Sequence, residues 1–334
     1  MVRNHSVLIS APARLHMGFL DLNGELGRVF GSLGLAISGI GTVLRAAAAS
    51  QVSARGPGAR RATRFAKTVL RALAIDGGID IRIEASIPEH VGLGSGTQMG
   101  LAVATAIARL YGSDAGVRDL AASVSRGMRS GIGVGAFLYG GFIVDGGRGP
   151  ATIVPPVIGR LPFPASWRVL LVFDNQMQGL NGPKEALAFR QLPPMPTAVT
   201  AELCRAVLMQ LLPALAEQDY GAFSSAIGGV QRRIGEHFSP FQGGRYTSAT
   251  VATIMEWLNS NGIAGVGQTS WGPTAFAILP DAGFAAEVVE ALRRRWPDEA
   301  RVSFMVCEGV NAGAEIAEDG GAAGRSSVAV HLKS

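Results

Sequence analysis

Glycine-broken apolar runs fill residues 6–44, with VLISAPARL first and GRVFGSLGLAI later, and they predict short strands joined by turns. A basic amphipathic repeat follows and predicts a helix over 61–75, stopped by Gly77 and Gly78. The alternation in IDIRIEASIP predicts a strand that Pro88 closes. A glycine-rich turn, PEHVGLGSGT, then leads into 97–111, a helical run with small residues on several faces. One more helix is expected near 119–126, ahead of the apolar and glycine-dense RSGIGVGAFLYGGFIVDGG.

The segment 150–164 carries five prolines and reads as a domain boundary. Beyond it, WRVLLVFD predicts a buried strand ending near Asp174. Helical periodicity runs over 197–237, interrupted at Pro213 and expected to divide again near Gly221 or Gly228. A helix over 246–259 comes next, then a second glycine turn in GIAGVGQTSWGPTAFAIL that runs into a strand. A helix over 282–296 and a strand over 302–307 complete the core, and the small polar residues after Glu315 are expected to fray. Strands and helices mix without regular βαβ units, so the predicted class is α+β. The expected domains are 1–160 and 165–315, with a tail over 316–334. The order of elements in the second domain suits a small antiparallel sheet covered by helices.

An apolar fraction of 48% with 16% charged residues excludes a disordered chain. The 45 glycines cluster beside apolar runs, which points to tight turns and close backbone approaches. The formal net charge of +5 is local: residues 26–75 hold eight basic residues and no acidic one, while the rest holds 22 basic and 25 acidic. Such a segment suits an anion-binding region or a solvated helix face. No interleaving of aromatic and basic residues suggests nucleic acid, so none is expected as a partner. Cys204 and Cys307 are too far apart in sequence to suggest a disulfide framework or a cysteine metal site. No export leader and no apolar run of about 18 residues is evident, so a cytoplasmic protein without a membrane partner is expected.

The chemistry concentrates at the first glycine turn. Gly92, Gly94 and Gly96 alternate just before a helix, where backbone N–H groups converge and the helix dipole favours an anion. Ser95 and Thr97 add hydroxyls for a phosphate or a metal ion. The turn is not a Walker A loop, because no G-K-[ST] closes it, nor is it a G-x-G-x-x-G dinucleotide fingerprint.

This turn resembles the P-x-x-x-G-L-G-S-S-A motif of the GHMP kinase superfamily. SAPARLHMGFLDL is similar to the superfamily's first motif, and GVGQTSWGPTAFAI to its C-terminal glycine motif, all in the expected order. Within that superfamily, RLHMGFLDLNGELGRVFGSLGLAI, GLGSGTQMGLAVA, RGMRSGIGVGAFLYGGFIVDGG and GQTSWGPTAFAI together resemble the β-ribofuranosylaminobenzene 5'-phosphate synthase family, over roughly residues 6–310. The resemblance implies a GHMP-kinase-like two-domain fold, with an N-terminal ribosomal-protein-S5-domain-2-like domain and a C-terminal ferredoxin-like α/β sandwich. It implies phosphoribosyl transfer from phosphoribosyl pyrophosphate to 4-aminobenzoate or 4-hydroxybenzoate, releasing CO2 and pyrophosphate, in the synthesis of methanopterin-type cofactors. Mg²⁺ as cofactor and a homodimer are further expectations.

The alternative that the superfamily leaves open is an ATP-dependent small-molecule kinase. Many such kinases carry an acidic residue after the central helix, but the comparable stretch from Arg129 to Gly135 has no carboxylate, and Asp145 is the nearest candidate. The synthase reaction asks instead for charge stabilisation at a departing pyrophosphate and needs no protein nucleophile. Arg14, His16, Arg129 and Gln268 are accordingly the candidates for catalytic contacts. Arg28, Ser130 and Gln98 are candidates for phosphate or substrate contacts, alongside the loop residues, and Arg126 at a helix end suits either an anion contact or the helix dipole alone. Thr269, Ser270 and Trp271 suggest a slot for a planar benzoate, with Trp271 as a core anchor the competing reading. Asp21 is the candidate Mg²⁺ ligand, although a plain turn at Asn23-Gly24 also accounts for it.

Overall fold

A computed structural model describes residues 5–179 and 182–319. The N-terminal layer opens with two long antiparallel strands, β1 (Ser6–Asp21) and β2 (Phe30–Ala49), where the sequence suggested several short ones. Glycine and proline do not break them; they bulge the ladder, with register shifts at Pro12/Ala13 and at His16/Phe19. After the short β3 (Ser53–Arg55), α1 (Ala59–Ala72) ends at Leu73, ahead of the expected Gly77-Gly78 stop. The strand β4 (Gly78–Ala85) and the helices α2 (Ser95–Leu110), α3 (Val117–Ser123) and α4 (Ile132–Leu138) follow, then β5 (Phe142–Asp145). The proline-rich boundary is not a bare linker. It contains β6 (Val157–Leu161), which pairs with β5.

The second layer starts with β7 (Arg168–Asp174), followed by α5 (Gly182–Gln191) and α6 (Thr197–Ala206). Pro213 does not interrupt the helix that follows. A π-helical turn at Val207–Leu211 precedes α7 (Leu212–Glu217), placing the proline in its first turn, where a missing N–H costs little. The run divides at Gln218, with φ 59°, close to Gly221 as one of the two expected positions, and α8 (Tyr220–Gln242) follows. Gly228, the other expected position, does not divide α8. A Cβ there would lie 2.0 Å from the Ala264 carbonyl oxygen, so glycine lets the helix press onto the sheet. Then come α9 (Ala249–Ser260), β8 (Val266–Gln268), β9 (Ala275–Leu279), α10 (Ala282–Arg295) and β10 (Val302–Cys307).

The expected fraying after Glu315 is overturned for its first residues. Glu315–Asp319 form β11, antiparallel to β1, so the chain returns to the N-terminal sheet; residues 320–334 lie outside the described residues. The first sheet thus runs β11-β1-β2-β4-β3 with β5 and β6 branching from β2, and the second is antiparallel in the order β10-β7-β9-β8. In β7, Leu170 and Val172 face α9 and α10, while Val169 and Leu171 face the core beside α8, as strand alternation requires. Along β1, Val7, Ile9 and Ala11 pack under α1 and α2, and Ala13, Leu15, Met17 and Phe19 continue into the core shared with the second layer. That shared core holds the two layers together. One helical run, Thr197–Glu217, is long and apolar enough by length and composition to cross a membrane, although the sequence suggested no such run; here it buries Leu203, Val207, Leu211 and Leu215 in the shared core.

Candidate active site

The glycine turn sits where β1, the N-terminus of α2 and the β8–β9 turn meet. Gly94 takes φ 89° immediately before α2, a left-handed conformation that favours glycine. A Cβ there would lie 3.2–3.3 Å from the guanidinium of Arg14, and one on Gly96 would lie 3.2–3.3 Å from that of Arg126. Two arginines therefore lie against the turn, held close because no side chain intervenes. Gly92 meets the C-terminal layer: a Cβ on it would fall 2.5 Å from the Thr269 carbonyl oxygen. The N–H groups of Ser95 and Gly96 open α2, where a helix has no internal acceptors for them.

Arg14 donates its backbone N–H to the Leu93 carbonyl and its Nη1 to the Gly92 carbonyl. Its Nε is buried with no partner among the described residues. Burial pulls its pKa down to about 10, against the field of Glu185, so the guanidinium stays charged at neutral pH. His16 is also buried, and its pKa is lowered to about 3 by desolvation first and by the charge of Arg14 second. The Gly18 N–H donates to His16 Nδ1 over 3.3 Å, so the neutral ring carries its proton on Nε2. That Nε2–H is buried and unpartnered among the described residues. His16 is a hydrogen-bond donor here; it does not exchange a proton near pH 7.

Thr269 closes the junction. Its Oγ1 donates to the Gly92 carbonyl over 2.9 Å and accepts from the His16 N–H over 2.9 Å. Ser270, at φ 56°, donates its N–H to the His16 carbonyl. Trp271 is buried against Phe238 and Phe189, with ring centroids 4.5 Å and 5.4 Å away, and its Nε1 has no partner among the described residues. Both readings of this tryptophan thus have a footing, as core anchor and as site wall.

Arg129 makes an ion pair with Glu185 at 3.1 Å and lies 4.6 Å from the Phe189 ring centroid. Ser130 belongs to a network with Ser32 and Asp145. The Asp145 carboxylate is fully buried and accepts from both hydroxyls and from the N–H groups of Gly131 and Gly147. Desolvation raises its pKa and these hydrogen bonds oppose the rise. Asp145 thus fixes the Ser130-Gly131 turn; with its carboxylate fully buried, it is poorly placed to serve as a kinase base.

Four expected contacts are placed differently. The Gln268 amide is already occupied: Oε1 accepts from the Thr247 N–H over 2.7 Å, while Nε2 donates to Gln242 and to the Ser270 carbonyl. It shapes the turn that carries Ser270 and Trp271 and is not free for a catalytic contact. Gln98 is buried between α2 and α4 and donates Nε2 to the Gly133 carbonyl, so its amide braces the helices. Arg28 binds the carbonyls of Gly146 and Gly147 beside a shallow surface pocket with Arg118 and Thr152, a lining that includes no glycine-turn residue. Asp21 Oδ1 accepts from the Asn23 and Gly24 N–H groups, which makes it a turn former; no group of three or more His, Cys, Asp or Glu side chains suited to a metal occurs among the described residues.

Other side chains completed the site without a strong sequence signal. Arg126, already a candidate for anion contacts at a predicted helix end, is laid by the fold on Gly96. It is buried enough to lose pKa, with Arg61 and Arg64 adding to the fall. Arg61 comes from the acid-free basic segment and reaches Ser95 Oγ over 3.2 Å while pairing with Glu89 at 2.7 Å. Glu185 and Phe189, on α5, had no motif around them at all.

The chain is similar to known proteins along most of its length. Residues 60–141 match the GHMP kinases N terminal domain, and residues 211–298 match the GHMP kinases C terminal domain. The chain is 35% identical to a beta-ribofuranosylphenol 5'-phosphate synthase of Archaeoglobus fulgidus over 236 residues, covering 67% of this chain and 74% of the relative. It is 30% identical to the synthase of the same name from Methanocaldococcus jannaschii, covering 81% of this chain and 89% of the relative. Among solved structures, a homoserine kinase from Cytophaga hutchinsonii superposes with a TM-score of 0.68 at 20% identity, over 93% of this chain and 97% of that one. A mevalonate diphosphate decarboxylase from Staphylococcus aureus gives a TM-score of 0.68 at 13% identity, over 93% and 98%. These two likenesses establish the fold. By its relatives and by its glycine turn, the chain belongs to the β-ribofuranosylphenol 5'-phosphate synthase family of the GHMP kinase superfamily.

Proposed function

We propose that this protein transfers the phosphoribosyl group of phosphoribosyl pyrophosphate to 4-hydroxybenzoate or 4-aminobenzoate, with loss of CO2 and pyrophosphate. The observation that carries the reading is the pair of guanidiniums, Arg14 and Arg126, lying against Gly94 and Gly96 at the start of α2. Pyrophosphate departure leaves negative charge on the leaving group and positive character at ribose C1. The Ser95 and Gly96 N–H groups, Arg14, Arg126 and Arg61 form a fixed field for that leaving group, and fixed charges need little reorganisation in the transition state. The ring carbon bearing the carboxylate bonds to C1 as the C1–O bond breaks. The bond to the carboxylate then breaks, CO2 leaves, and its electron pair restores the aromatic ring. No protein proton is required, which agrees with a His16 that stays neutral to about pH 3.

The arene would lie among His16, Phe19, Phe238 and Trp271, with the Nε2–H of His16 and the Nε1–H of Trp271 as its donors. Mg²⁺ bound to the pyrophosphate would supply charge neutralisation there. Such an ion usually takes few protein ligands and most of its oxygens from phosphate and water, and the Ser95 and Thr97 hydroxyls suit that donor set. The relatives are named for a ribofuranosylphenol 5'-phosphate, which favours the hydroxy acid as acceptor. We read the protein as a cytoplasmic homodimer; Leu208 and Met209, 64% and 66% exposed, give it an apolar contact face.

The test incubates the protein and Mg²⁺ with phosphoribosyl pyrophosphate and each carboxyl-labelled acid. Stoichiometric release of labelled CO2 and pyrophosphate, dependent on both substrates, is the expected result, and the faster acid identifies the acceptor. No release from either acid by folded protein rejects the reading and turns attention to ATP consumption.

A further inference from the structure

Two side chains of α5 reach the site. Glu185 and Phe189 are four residues apart, so they lie one helical turn apart on the same face. Glu185 pairs with Arg129 at 3.1 Å, and its charge is felt by Arg14 and Arg126 as well. One carboxylate thus sits within the field of three arginines. Phe189 lies under the Arg129 guanidinium at 4.6 Å and is ringed by Phe19, Phe30, Phe238 and Trp271, with centroids 5.4–6.1 Å away.

A carboxylate among arginines beside a phenyl ring in an aromatic cage is the chemical outline of a benzoate. The surrounding polar atoms point the same way. Arg14 Nε, His16 Nε2 and Trp271 Nε1 are buried around this cluster without a partner among the described residues. A phenylalanine ring cannot receive a hydrogen bond from them as an oxygen would, and buried donors left unmet are costly. Phe189 fills the aromatic space without answering its polar groups.

We propose that Glu185 and Phe189 of α5 are an internal surrogate for the aromatic acid: they occupy the acceptor subsite in the free protein and withdraw when the benzoate binds. The inference rests on the phosphoribosyl-transfer reading above and assigns its acceptor subsite. It has a kinetic signature. A ligand that must displace an internal occupant binds with an affinity reduced by the fraction of open molecules. Weakening the occupant therefore strengthens binding of the acid, and where no charge is removed from the field of Arg14 and Arg126, as in Phe189→Ala, phosphoribosyl pyrophosphate is untouched. A wall residue would behave in the opposite way, since its removal would weaken the acid.

The experiment measures KM for 4-hydroxybenzoate and for phosphoribosyl pyrophosphate by CO2 release in the wild type, Phe189→Ala and Glu185→Gln. Tryptophan fluorescence under 4-hydroxybenzoate titration gives the binding constant directly, and the conservative Glu185→Gln guards against a folding defect in Phe189→Ala. The expected result is a fall of about tenfold in KM and Kd for the acid in both variants, with KM for phosphoribosyl pyrophosphate unchanged in Phe189→Ala. A rise in KM and Kd for the acid in either variant overturns the surrogate while the reaction itself stands. Absence of CO2 release from the wild type rejects the reaction, and the inference falls with it.

Discussion

The guanidinium carbon of Arg14 lies 3.3 Å from where a Cβ on Gly94 would be. This contact joins β1 to the glycine turn and explains why the two motifs work as one site. Gly94 supplies the left-handed turn that starts α2, and the bare backbone leaves room for a charge that the Gly92 carbonyl holds in place.

Gly94→Ala tests that contact. The left-handed backbone costs a non-glycine residue ~1–3 kcal/mol, and the added methyl displaces Arg14. KM for phosphoribosyl pyrophosphate should rise and kcat fall, with a lower melting temperature; unchanged kinetics would separate the turn from the leaving-group site.

Arg14→Lys keeps a positive charge but loses the planar fork that reaches Gly92 while lying flat on Gly94. A loss of about 10²–10³ in kcat is expected, the scale seen when one fixed donor to a developing anion is removed. Steady-state kinetics on folded variant decides it, and a fall below about tenfold would demote Arg14 to a structural role.

His16 makes stability depend on acid. The unfolded chain protonates this histidine below about 6.5, whereas the folded protein resists until about pH 3. Between those values the unfolded state holds more protons, so the stability contribution is complete above pH 6.5 and is lost as pH falls toward 3. Urea midpoints should decline across that window in wild type and decline less steeply in His16→Gln. The kcat profile should show no limb from His16 near neutrality.

Thr269→Val removes the hydroxyl that links the His16 N–H to the Gly92 carbonyl, leaving the buried His16 N–H unmet while the carbonyl keeps Arg14 Nη1. A destabilisation of ~1–3 kcal/mol is expected. Chemical denaturation measures it, and kcat should fall together with stability because the same bond aligns β1, the glycine turn and the C-terminal layer.

Leu208→Glu with Met209→Glu tests the proposed assembly. Both side chains protrude from the π-helical turn, so the folded monomer should tolerate the charges. Light scattering is expected to read a dimer for wild type and a monomer for the variant; an unchanged mass would place the contact elsewhere.

Much of this site was legible before any fold was known. The alternation of Gly92, Gly94 and Gly96 ahead of a helix is local chemistry, and so is the value of Arg14 and His16 at the end of an apolar strand pattern. Side chains whose role depends on a distant partner were harder to read. Gln268 looked catalytic beside a glycine turn, but the Thr247 N–H and the Gln242 side chain claim its amide. Asp145 looked like a displaced base until its four donors were in view. Arg61 stood in a basic run that suited a solvated face equally well, and only the packing of α1 beside α2 brings it to Ser95.

By itself the sequence determined the α+β class, the glycine turn with its helix, the two-layer order of elements and the family. These follow from periodicity, turn chemistry and motif order, all carried by residues near one another in the chain. Tertiary structure alone decided that Glu315–Asp319 close the N-terminal sheet, that Arg126 flanks Gly96, and that Glu185 and Phe189 enter the site from α5. A strand's partner and a buried charge's neighbour are set by which elements pack together, and packing is a property of the whole core.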